Sequence, residues 1–440
     1  MACSNCERKE RLLKKLADTK IDKKTIYMDY NATTPVLTES IGAFERSCRI
    51  NWANPSSCHT AGVKAWEELE KNRETIAKYF NTKKENIFFC SSGSEAIFAG
   101  IHGINTPKTF FISSVIEHSS VIKNIIALPR EQYHLLKVTA NGIIDTDEFS
   151  KVLEKNKGKN IVIIYSPVNH ETGVIEPVKE IYEKAKEYNA LIFLDAVQAA
   201  ARLPVNEWQP FCDIFALSSH KLYAPKGCGV LALTKELCPD AAAVPAASAI
   251  PVASGAHISP APSAAHTSSA PSSTGISKSF GKLNLFRHGG NQESGLFPGT
   301  ENTPAISAFA KSIEYLQLNL KSEIARLKTL TDEGLKILQN LPCKIILESP
   351  ENRAPGILCL SIPEVKEIEP FMDFIYLKGI CISRFSACSD NEKAASEILT
   401  AMGRPPERTE KSIRVSTGIY SKREDYYALA DAIKEYFNNH

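Results

Sequence analysis

Two charged side chains stand at the ends of two apolar, strand-like runs of this sequence, and together they could hold a cofactor. Lys221 follows the run 214–217, and Asp195 follows the run 191–194. A lysine amine can form a Schiff base with an aldehyde, and an aspartate can pair with a pyridinium nitrogen. A lone lysine is usually a surface residue and a lone aspartate usually a cap. As a pair at neighbouring strand ends, they are the minimum that a pyridoxal 5'-phosphate (PLP) enzyme needs.

The small residues at 91–95 could bind the phosphate of such a cofactor. They follow the apolar run 86–90 and open a helical pattern at Ala96. Gly93 and Ser94 would let the backbone approach an anion, and a helix N-terminus offers free N–H groups and a positive dipole end. On its own such a turn is usually only a tight connection, so its interest depends on sharing a sheet with the lysine and the aspartate.

Polar side chains also follow other strand-like runs. His118 comes after the run 109–112, where an imidazole could stack on a pyridine ring and move protons near neutral pH. Helix capping is the simpler alternative for this histidine. Asn169 and Gln198 are amides at strand ends, and they could either contact the phenolic oxygen of the cofactor or satisfy the backbone of their own loops.

Apolar runs alternate with helical patterns through the first half of the chain. Because these runs are continuous and not alternating, they predict a mostly parallel sheet that is buried on both faces, in a doubly wound α/β layout. Ligands of such sheets bind outside the carboxyl ends of the strands, where the polar residues described above fall. The predicted strands are 86–90, 109–112, 161–165, 191–194, 214–217 and 229–233.

The chain divides into three predicted parts. Residues 1–25 form an N-terminal helical segment, 26–302 a large cofactor-binding domain, and 303–440 a smaller C-terminal α+β domain. Within the large domain, 239–280 is rich in Ala, Pro and Ser and poor in charge, which predicts a disordered insertion. In the last part a long helix is predicted from Thr303, with strands near 344–347, 356–360 and 413–416 and a final helix over 425–437.

The composition argues against several classes of partner. A net charge of +2 over 440 residues does not call for nucleic acid or an anionic membrane. No apolar run approaches the roughly 20 residues that span a bilayer. Cys3 and Cys6 lack a second pair at zinc spacing, so no metal site is expected. The acidic residues near the N-terminus disfavour a mitochondrial presequence, so we expect a cytoplasmic protein, with a mitochondrial-type organelle as the alternative.

The ordered motifs of the chain resemble those of cysteine desulfurases, which are PLP enzymes of the type I fold. The resemblance extends from Met28 to about Tyr436, apart from the insertion at 239–280. Within that fold, the Ser-Ala-Cys stretch at 386–388 is what points to a desulfurase. The matching stretches are 28–35, 54–57 with His59, 117–118, 168–169, 194–198, 218–221, 288–290, 299–300, 386–388 and 413–418.

The resemblance implies how the cofactor is bound. Lys221 would bind it covalently, Asp195 would pair with its ring nitrogen, and His118 would stack on the ring. Asn169 and Gln198 would contact the ring oxygen. The residues implied for the phosphate are Gly93, Ser94, Ser218 and His220, with Thr300 reaching the phosphate of a neighbouring subunit in a homodimer.

The resemblance also implies the reaction. Arg414 would bind the carboxylate of L-cysteine, together with Asn31 and Asn169, and Cys388 would attack the substrate sulfur. The products would be L-alanine and a persulfide on Cys388. A sulfur-acceptor or iron–sulfur scaffold protein would then receive the sulfur for clusters or thio-cofactors.

The sequence also departs from the family pattern. Arg384-Phe385 stands where the loop before Ser386 usually has a glycine, and Phe297 occupies a position where arginine is common. Arg384 is a candidate to help Cys388 ionise, since a free thiol with a pKa of about 8.5 is mostly protonated at neutral pH. Two alternatives stay open: a selenocysteine lyase or other Cα–heteroatom lyase on the same scaffold, and a non-catalytic PLP-fold scaffold in sulfur transfer.

Overall fold

The computed structural model describes residues 25–234, 282–284, 287–384 and 395–439, together with Glu10, Leu13 and Leu237. Its strands are β1 (Ile26–Tyr27), β2 (Ile87–Cys90), β3 (Thr109–Ser114), β4 (Tyr133–Leu136), β5 (Asn160–Tyr165), β6 (Leu191–Asp195), β7 (Ile214–Ser218), β8 (Gly229–Leu233), β9 (Ile346–Leu347), β10 (Ile357–Ser361), β11 (Ile380–Cys381) and β12 (Ser412–Ser416). Its α-helices are α1 (Thr38–Ile50), α2 (Thr60–Tyr79), α3 (Gly93–Ile104), α4 (Ser119–Ile126), α5 (Thr146–Lys155), α6 (Val178–Lys186), α7 (Thr303–Gln339), α8 (Ile368–Leu377), α9 (Glu397–Ala401), α10 (Pro406–Thr409) and α11 (Arg423–Asn439).

The larger sheet has the strand order β2-β8-β7-β6-β5-β3-β4. Strand β8 runs antiparallel to both of its neighbours, and the other pairings are parallel. Every residue of β6, β7 and β8 is buried, as expected for strands covered on both faces. The prediction of a mostly parallel α/β sheet is therefore confirmed.

The edge strand β4 was not predicted. It is only four residues long, and its first three residues are half-buried. A strand this short, with a half-buried polar residue such as His134 in its middle, lacks the continuous apolar run on which the other strand predictions depended.

A second, smaller sheet has the order β12-β10-β9 and is antiparallel. It belongs to a second apolar core, which also includes Met28. The short strand β1 lies there too, since Ile26 pairs with Ile380 of β11 in parallel. The start of the described chain is thus attached to the C-terminal part of the molecule.

Helix α7 packs against both cores. Phe309 and Ile313, in its first half, lie in the core of the large sheet. Leu327 and Leu330, in its second half, lie in the core around the small sheet. At 37 residues the helix is about 55 Å long, enough to cross both units.

Two predicted segments fall largely outside the described residues. Of residues 1–24 only Glu10 and Leu13 are described, both as helix, and the insertion at 239–280 is not described. Among the helices of the described ranges, none combines the length and the apolar composition needed to cross a bilayer.

The parallel strands of the large sheet end at one edge. Because β3, β5, β6 and β7 run in the same direction, the residues that follow them are brought side by side. Strand β6 ends at Asp195 and β7 ends at Ser218, three residues before Lys221. This edge is where a ligand of a doubly wound sheet is expected.

Candidate functional site

A cavity of about 180 Å³ lies at the carboxyl ends of these strands. Residues from both cores contribute to its wall, since Asn31 and Arg414 join the residues that follow the parallel strands. The predicted site residues that line it are Asn31, Gly93, Ser94, His118, Asp195, Gln198, Ser218, His220, Lys221 and Arg414.

The amine of Lys221 is held at the cavity wall by backbone carbonyls. Lys221 ends a short 3-10 turn, Ser219–Lys221, that follows β7 directly. Its Nζ donates to the carbonyl oxygens of Asn31, at 2.5 Å, and Ala32, at 2.7 Å. Both acceptors are uncharged, so the amine gives up only two neutral hydrogen bonds when it leaves these carbonyls for a ligand.

The carboxylate of Asp195 is buried at the end of β6. It accepts a hydrogen bond from the N–H of Val197, at 3.2 Å. Burial raises the pKa of Asp195 to about 6, while this hydrogen bond and the charge of Lys221 act in the opposite direction. A cationic partner in the cavity would favour the charged form, so the site suits a protonated ring nitrogen.

Helix α3 is capped by side chains that leave two of its first N–H groups available. The hydroxyl of Ser92 accepts from the N–H of Glu95, and the carboxylate of Glu95 accepts from the N–H of Ser91. The N–H groups of Gly93 and Ser94 have no acceptor within the described ranges. A helix N-terminus with free donors at a cavity wall is a suitable anion site.

His118 caps helix α4 and also lines the cavity. Its Nδ1 accepts from the N–H of Ser120 at 3.1 Å and lies 2.7 Å from the hydroxyl of Ser120. Burial, together with the charges of Lys221 and Arg414, lowers the pKa of His118 to about 4. The imidazole is therefore neutral near pH 7, and since Nδ1 serves the cap, Nε2 is the nitrogen left for a ligand.

The opposite end of the cavity is built around Arg414 on β12. Its guanidinium pairs with Asp29 at 2.9 Å and donates to the carbonyl of His170 at 3.1 Å. Its Nε is buried and has no partner in the part of the chain that the structure describes. The second oxygen of Asp29 accepts from the hydroxyl of Ser383 at 2.7 Å. A buried guanidinium with one donor unused can still bind a carboxylate.

Arg202 supports this end of the cavity and was missed by the sequence analysis. It follows the 3-10 turn after β6, and its guanidinium donates to Asn31 Oδ1 and to the carbonyl of Pro355, each at 2.6 Å. Burial lowers the pKa of Arg202 to about 10. A single arginine in a sequence gives no signal of burial, because most arginines are exposed.

Three predicted residues are not placed at the cavity wall. The Asn169 side chain is used within its own loop, where Nδ2 donates to the carbonyl of Ile116 and Oδ1 accepts from the N–H groups of Glu171 and Thr172. Thr300 lies in a neighbouring depression that Glu95 also lines.

The third is Cys388, the predicted nucleophile, which lies outside the described residues, as do Ser386 and Ala387. Arg384, the candidate for helping it ionise, is described. It is buried and donates to the carbonyl of Glu410 at 2.8 Å. Its proposed influence on Cys388 stays a prediction.

Several wall residues were not predicted, although each lies near a predicted one in sequence. Ser120 is two residues after His118, and His170 follows Asn169 directly. Ser166 donates its hydroxyl to the buried carboxylate of Glu117 at 2.6 Å, which ties the end of β5 to the end of β3. The sequence could have pointed to these residues only because they are close to predicted ones. Closeness in sequence does not tell which neighbour faces the cavity.

Comparison with known proteins adds independent information. Residues 26–429 match the protein family described as aminotransferase class-V. The chain is 30% identical over 419 residues to cysteine desulfurase IscS of Dictyoglomus turgidum, covering 94% of each protein. Among solved structures, a NifS-like protein from Rickettsia africae has a TM-score of 0.77 at 23% identity, over 94% of this chain and all of that one. SspA in complex with cysteine has a TM-score of 0.69 at 24% identity, over 90% of this chain and all of that one.

Proposed function

The chain belongs to the aminotransferase class-V family, and from this premise we propose that it is a PLP-dependent cysteine desulfurase. It converts L-cysteine to L-alanine and leaves the sulfur as a persulfide on Cys388. One observation carries the proposal: an amine, a buried carboxylate and a helix N-terminus with free donors line the same cavity, at Lys221, Asp195 and Gly93.

The residues of this cavity fit PLP group by group. Lys221 would hold its aldehyde carbon, Asp195 its protonated ring nitrogen, and the N–H groups of Gly93 and Ser94 its phosphate. Ser218 and His220, both on the wall, would add to the phosphate site, and Gln198 would contact the ring oxygen. When bound, PLP accepts the electrons that are released at the Cα of the substrate.

A glycine is needed where the phosphate site meets the strand ends. A Cβ placed on Gly93 would lie 3.0 Å from Val197 Cγ2 and 3.2 Å from the Cβ of Ser218. These contacts are tighter than ordinary packing, so a side chain here would push the helix N-terminus away from β7. The close approach supports a site where backbone donors must reach a small anion.

Arg414 is suited to the carboxylate of the substrate. It is almost wholly buried, has an Nε without a partner among the described residues, and lies at the same cavity as Lys221. A carboxylate on the guanidinium would fix one end of the amino acid, and Asn31 would support it from the adjacent wall. Arginine provides a geometry for this that lysine lacks, because its fork can bind both carboxylate oxygens.

The proton and sulfur steps fall to the side chains of this chain. Lys221, once free of the cofactor, takes the proton from Cα. Neutral His118 presents its Nε2 to the thiol of the substrate. The thiolate of Cys388 forms a bond to the substrate sulfur, and the carbon–sulfur bond breaks. Its electron pair stays with the substrate carbon, which takes a proton to give alanine.

We further propose that the enzyme is a homodimer, and two exposed tryptophans support this. Trp52 is 72% exposed and Trp66 51% exposed. Asn54, two residues after Trp52, has its side-chain nitrogen 3.5 Å from the hydroxyl of Thr300. Tryptophan is enriched at protein–protein interfaces, and a partner on the side of Asn54 would bring Thr300 close to a second cavity.

Two further proposals concern the setting of the enzyme. The cysteines of the described ranges are free thiols, which suits a reducing compartment, and we propose the cytoplasm. We also propose that the persulfide sulfur passes to an acceptor protein, such as an iron–sulfur scaffold. The name of the curated IscS relative supports a role in sulfur supply.

The first test is an absorbance spectrum of the purified protein before and after L-cysteine, with alanine measured in the same sample. We expect a visible or near-ultraviolet band that shifts on cysteine addition, with alanine formed. Lys221→Ala should lose the shift, and Cys388→Ala should keep the band but make no alanine. Alanine formation at the full rate by Cys388→Ala would reject the proposed nucleophile.

The remaining outcomes identify the alternatives. Absence of any cofactor band in the purified protein, even after incubation with PLP, would reject the proposal in favour of a non-catalytic scaffold. A selenocysteine lyase would be favoured by one comparison of rates. Cys388→Ala would release selenium from selenocysteine faster than the natural chain releases sulfur from cysteine.

A further inference from the structure

One of the three histidines that line the cavity, His170, has no task in the function proposed above. It follows Asn169 in the loop after β5 and lines the cavity with Lys221 and Arg414. Its ring meets the ring of His118 edge to face, with centroids 5.2 Å apart and planes at 84°. The imidazoles of His118 and His170 therefore border the same part of the cavity, and they differ in what holds them.

The backbone of His170 is fixed firmly. The loop is closed by hydrogen bonds between the backbones of Asn169 and Val174, at 2.9 Å, and of Gly173 and Asn169, at 3.0 Å. The side-chain oxygen of Asn169 accepts three further donors from the two residues that follow His170. The loop thus fixes the backbone position from which the His170 ring extends.

The carbonyl of His170 joins it to the residues expected to bind the substrate carboxylate. It accepts from Arg414 Nη1 at 3.1 Å and from Asn31 Nδ2 at 2.9 Å. An amino acid whose carboxylate lies on Arg414 has a side chain only one or two bonds further along. Such a side chain would lie in the same cavity that the His170 ring borders.

The nitrogens of the His170 ring are available to a ligand. Within the described ranges neither nitrogen makes a hydrogen bond, in contrast to Nδ1 of His118, which serves Ser120. Burial and the nearby groups His118, Arg414 and Lys221 lower the pKa of His170 well below its ordinary value. A neutral imidazole has one nitrogen that accepts a hydrogen bond.

We propose that His170 determines the specificity of the site, by accepting a hydrogen bond from the side-chain thiol of the bound amino acid. The proposal rests on the proposed function, since it assumes an amino acid with its carboxylate on Arg414. It gives the two histidines different tasks: His118 stacks on the cofactor ring and helps move the thiol proton during the reaction, whereas His170 recognises the thiol of the bound substrate.

The test compares the binding of two amino acids that differ only in the thiol. In the Cys388→Ala background, which stops turnover, the affinities for L-cysteine and L-alanine are measured by absorbance titration. His170→Phe keeps an aromatic ring against His118 but removes the acceptor, and His170→Asn restores an acceptor. His134→Phe, on β4 away from the cavity, is the matched control.

We expect His170→Phe to weaken cysteine binding by about threefold to tenfold and to leave alanine binding unchanged. His170→Asn should recover part of the loss, and the control should change neither affinity. Equal weakening of both ligands, or no change in either, would overturn the proposal. Alanine formation by the natural chain tests the proposed function separately. If the natural chain forms alanine from cysteine, a negative result with the His170 variants concerns His170 alone.

Discussion

The two ends of the cavity are built in different ways. The end that faces the cofactor comes from consecutive strands of one sheet, where Asp195 and Lys221 lie within a few residues of β6 and β7. The end that faces the substrate carboxylate joins residues that are 385 positions apart, Asp29 and Arg414, with His170 between them in the chain.

This difference has a physical consequence. The first end depends on one sheet whose strands are buried on both faces, so it forms whenever that sheet folds. The second end needs the small sheet to dock on the large one, because Arg414 lies on β12 and donates to the carbonyl of His170, in the loop after β5. Arg202 strengthens that docking with hydrogen bonds to Asn31 and Pro355. We therefore expect changes at the two ends to affect different quantities.

The largest effect is expected at the cofactor end, for Asp195→Asn. The amide keeps the shape of the carboxylate but cannot hold a proton on the ring nitrogen, so alanine formation should fall by about 10²–10⁴-fold. The affinity for L-alanine should change far less. The measurement is the alanine rate at saturating cysteine, with absorbance to confirm that the cofactor is bound.

A matched control is available on the same strands. Asp213 is also buried, but it lies just before β7, at the opposite edge of the sheet, where it pairs with Lys186 at 2.7 Å. Asp213→Asn should reduce stability and leave the rate per bound cofactor unchanged. A similar loss of rate in Asp195→Asn and Asp213→Asn would contradict the prediction. It would show that the rate depends on burying a carboxylate and not on placing it at the cavity.

A smaller effect, on a different quantity, is expected at the other end for Arg414→Lys. The charge remains, but the fork that binds two carboxylate oxygens is lost, so kcat/KM for cysteine should fall by about 10–100-fold. The cofactor band should be unchanged. Arg408→Lys is the control, since Arg408 also pairs with a buried carboxylate, Glu348, outside the cavity. Loss of the cofactor band in Arg414→Lys would mean that the two ends are not independent.

The same difference between the ends explains what the sequence could predict. Continuous apolar runs marked every strand of the large sheet except β4, and the polar residues after them led directly to Asp195, Lys221 and Gly93. These signals are local, because the side chains follow the strands that position them. The edge strand was missed since it is short and half-buried.

The substrate end could be reached from the sequence only through the family resemblance. No local pattern joins Asn31 to Arg414, and none shows that Arg202 is buried or that His170 faces the cavity. Such contacts depend on how two sheets dock, which single-sequence periodicity does not contain. The resemblance supplied Arg414 and Asn31, but it did not supply the residues that orient them.

The smallest effect is expected for Glu176, at the end of the loop after β5 that carries His170. Glu176 closes that loop, and one of its oxygens accepts from the N–H of Ile144 at 3.2 Å, while the other is buried without a partner in the described part of the chain. Burial raises its pKa from 4.5 to about 8. The folded protein therefore holds this proton more tightly than the unfolded chain, and its stability falls as pH rises from about 5 to 8.

Glu176→Gln removes the charge that develops at this position and should flatten that decline. We expect the free energy of unfolding at pH 8 to rise by on the order of 1–2 kcal/mol relative to the natural chain, and the two proteins to agree near pH 5. A shallower slope should remain, because burial also raises the pKa of Glu117 and of Glu171 to about 7. Chemical unfolding at several pH values measures the difference, and Glu183→Gln, on the exposed face of α6, is the control. An equal gain in the free energy of unfolding at pH 5 and pH 8 would show that the effect comes from packing and not from the proton. The contribution of this loop to stability would then not depend on pH.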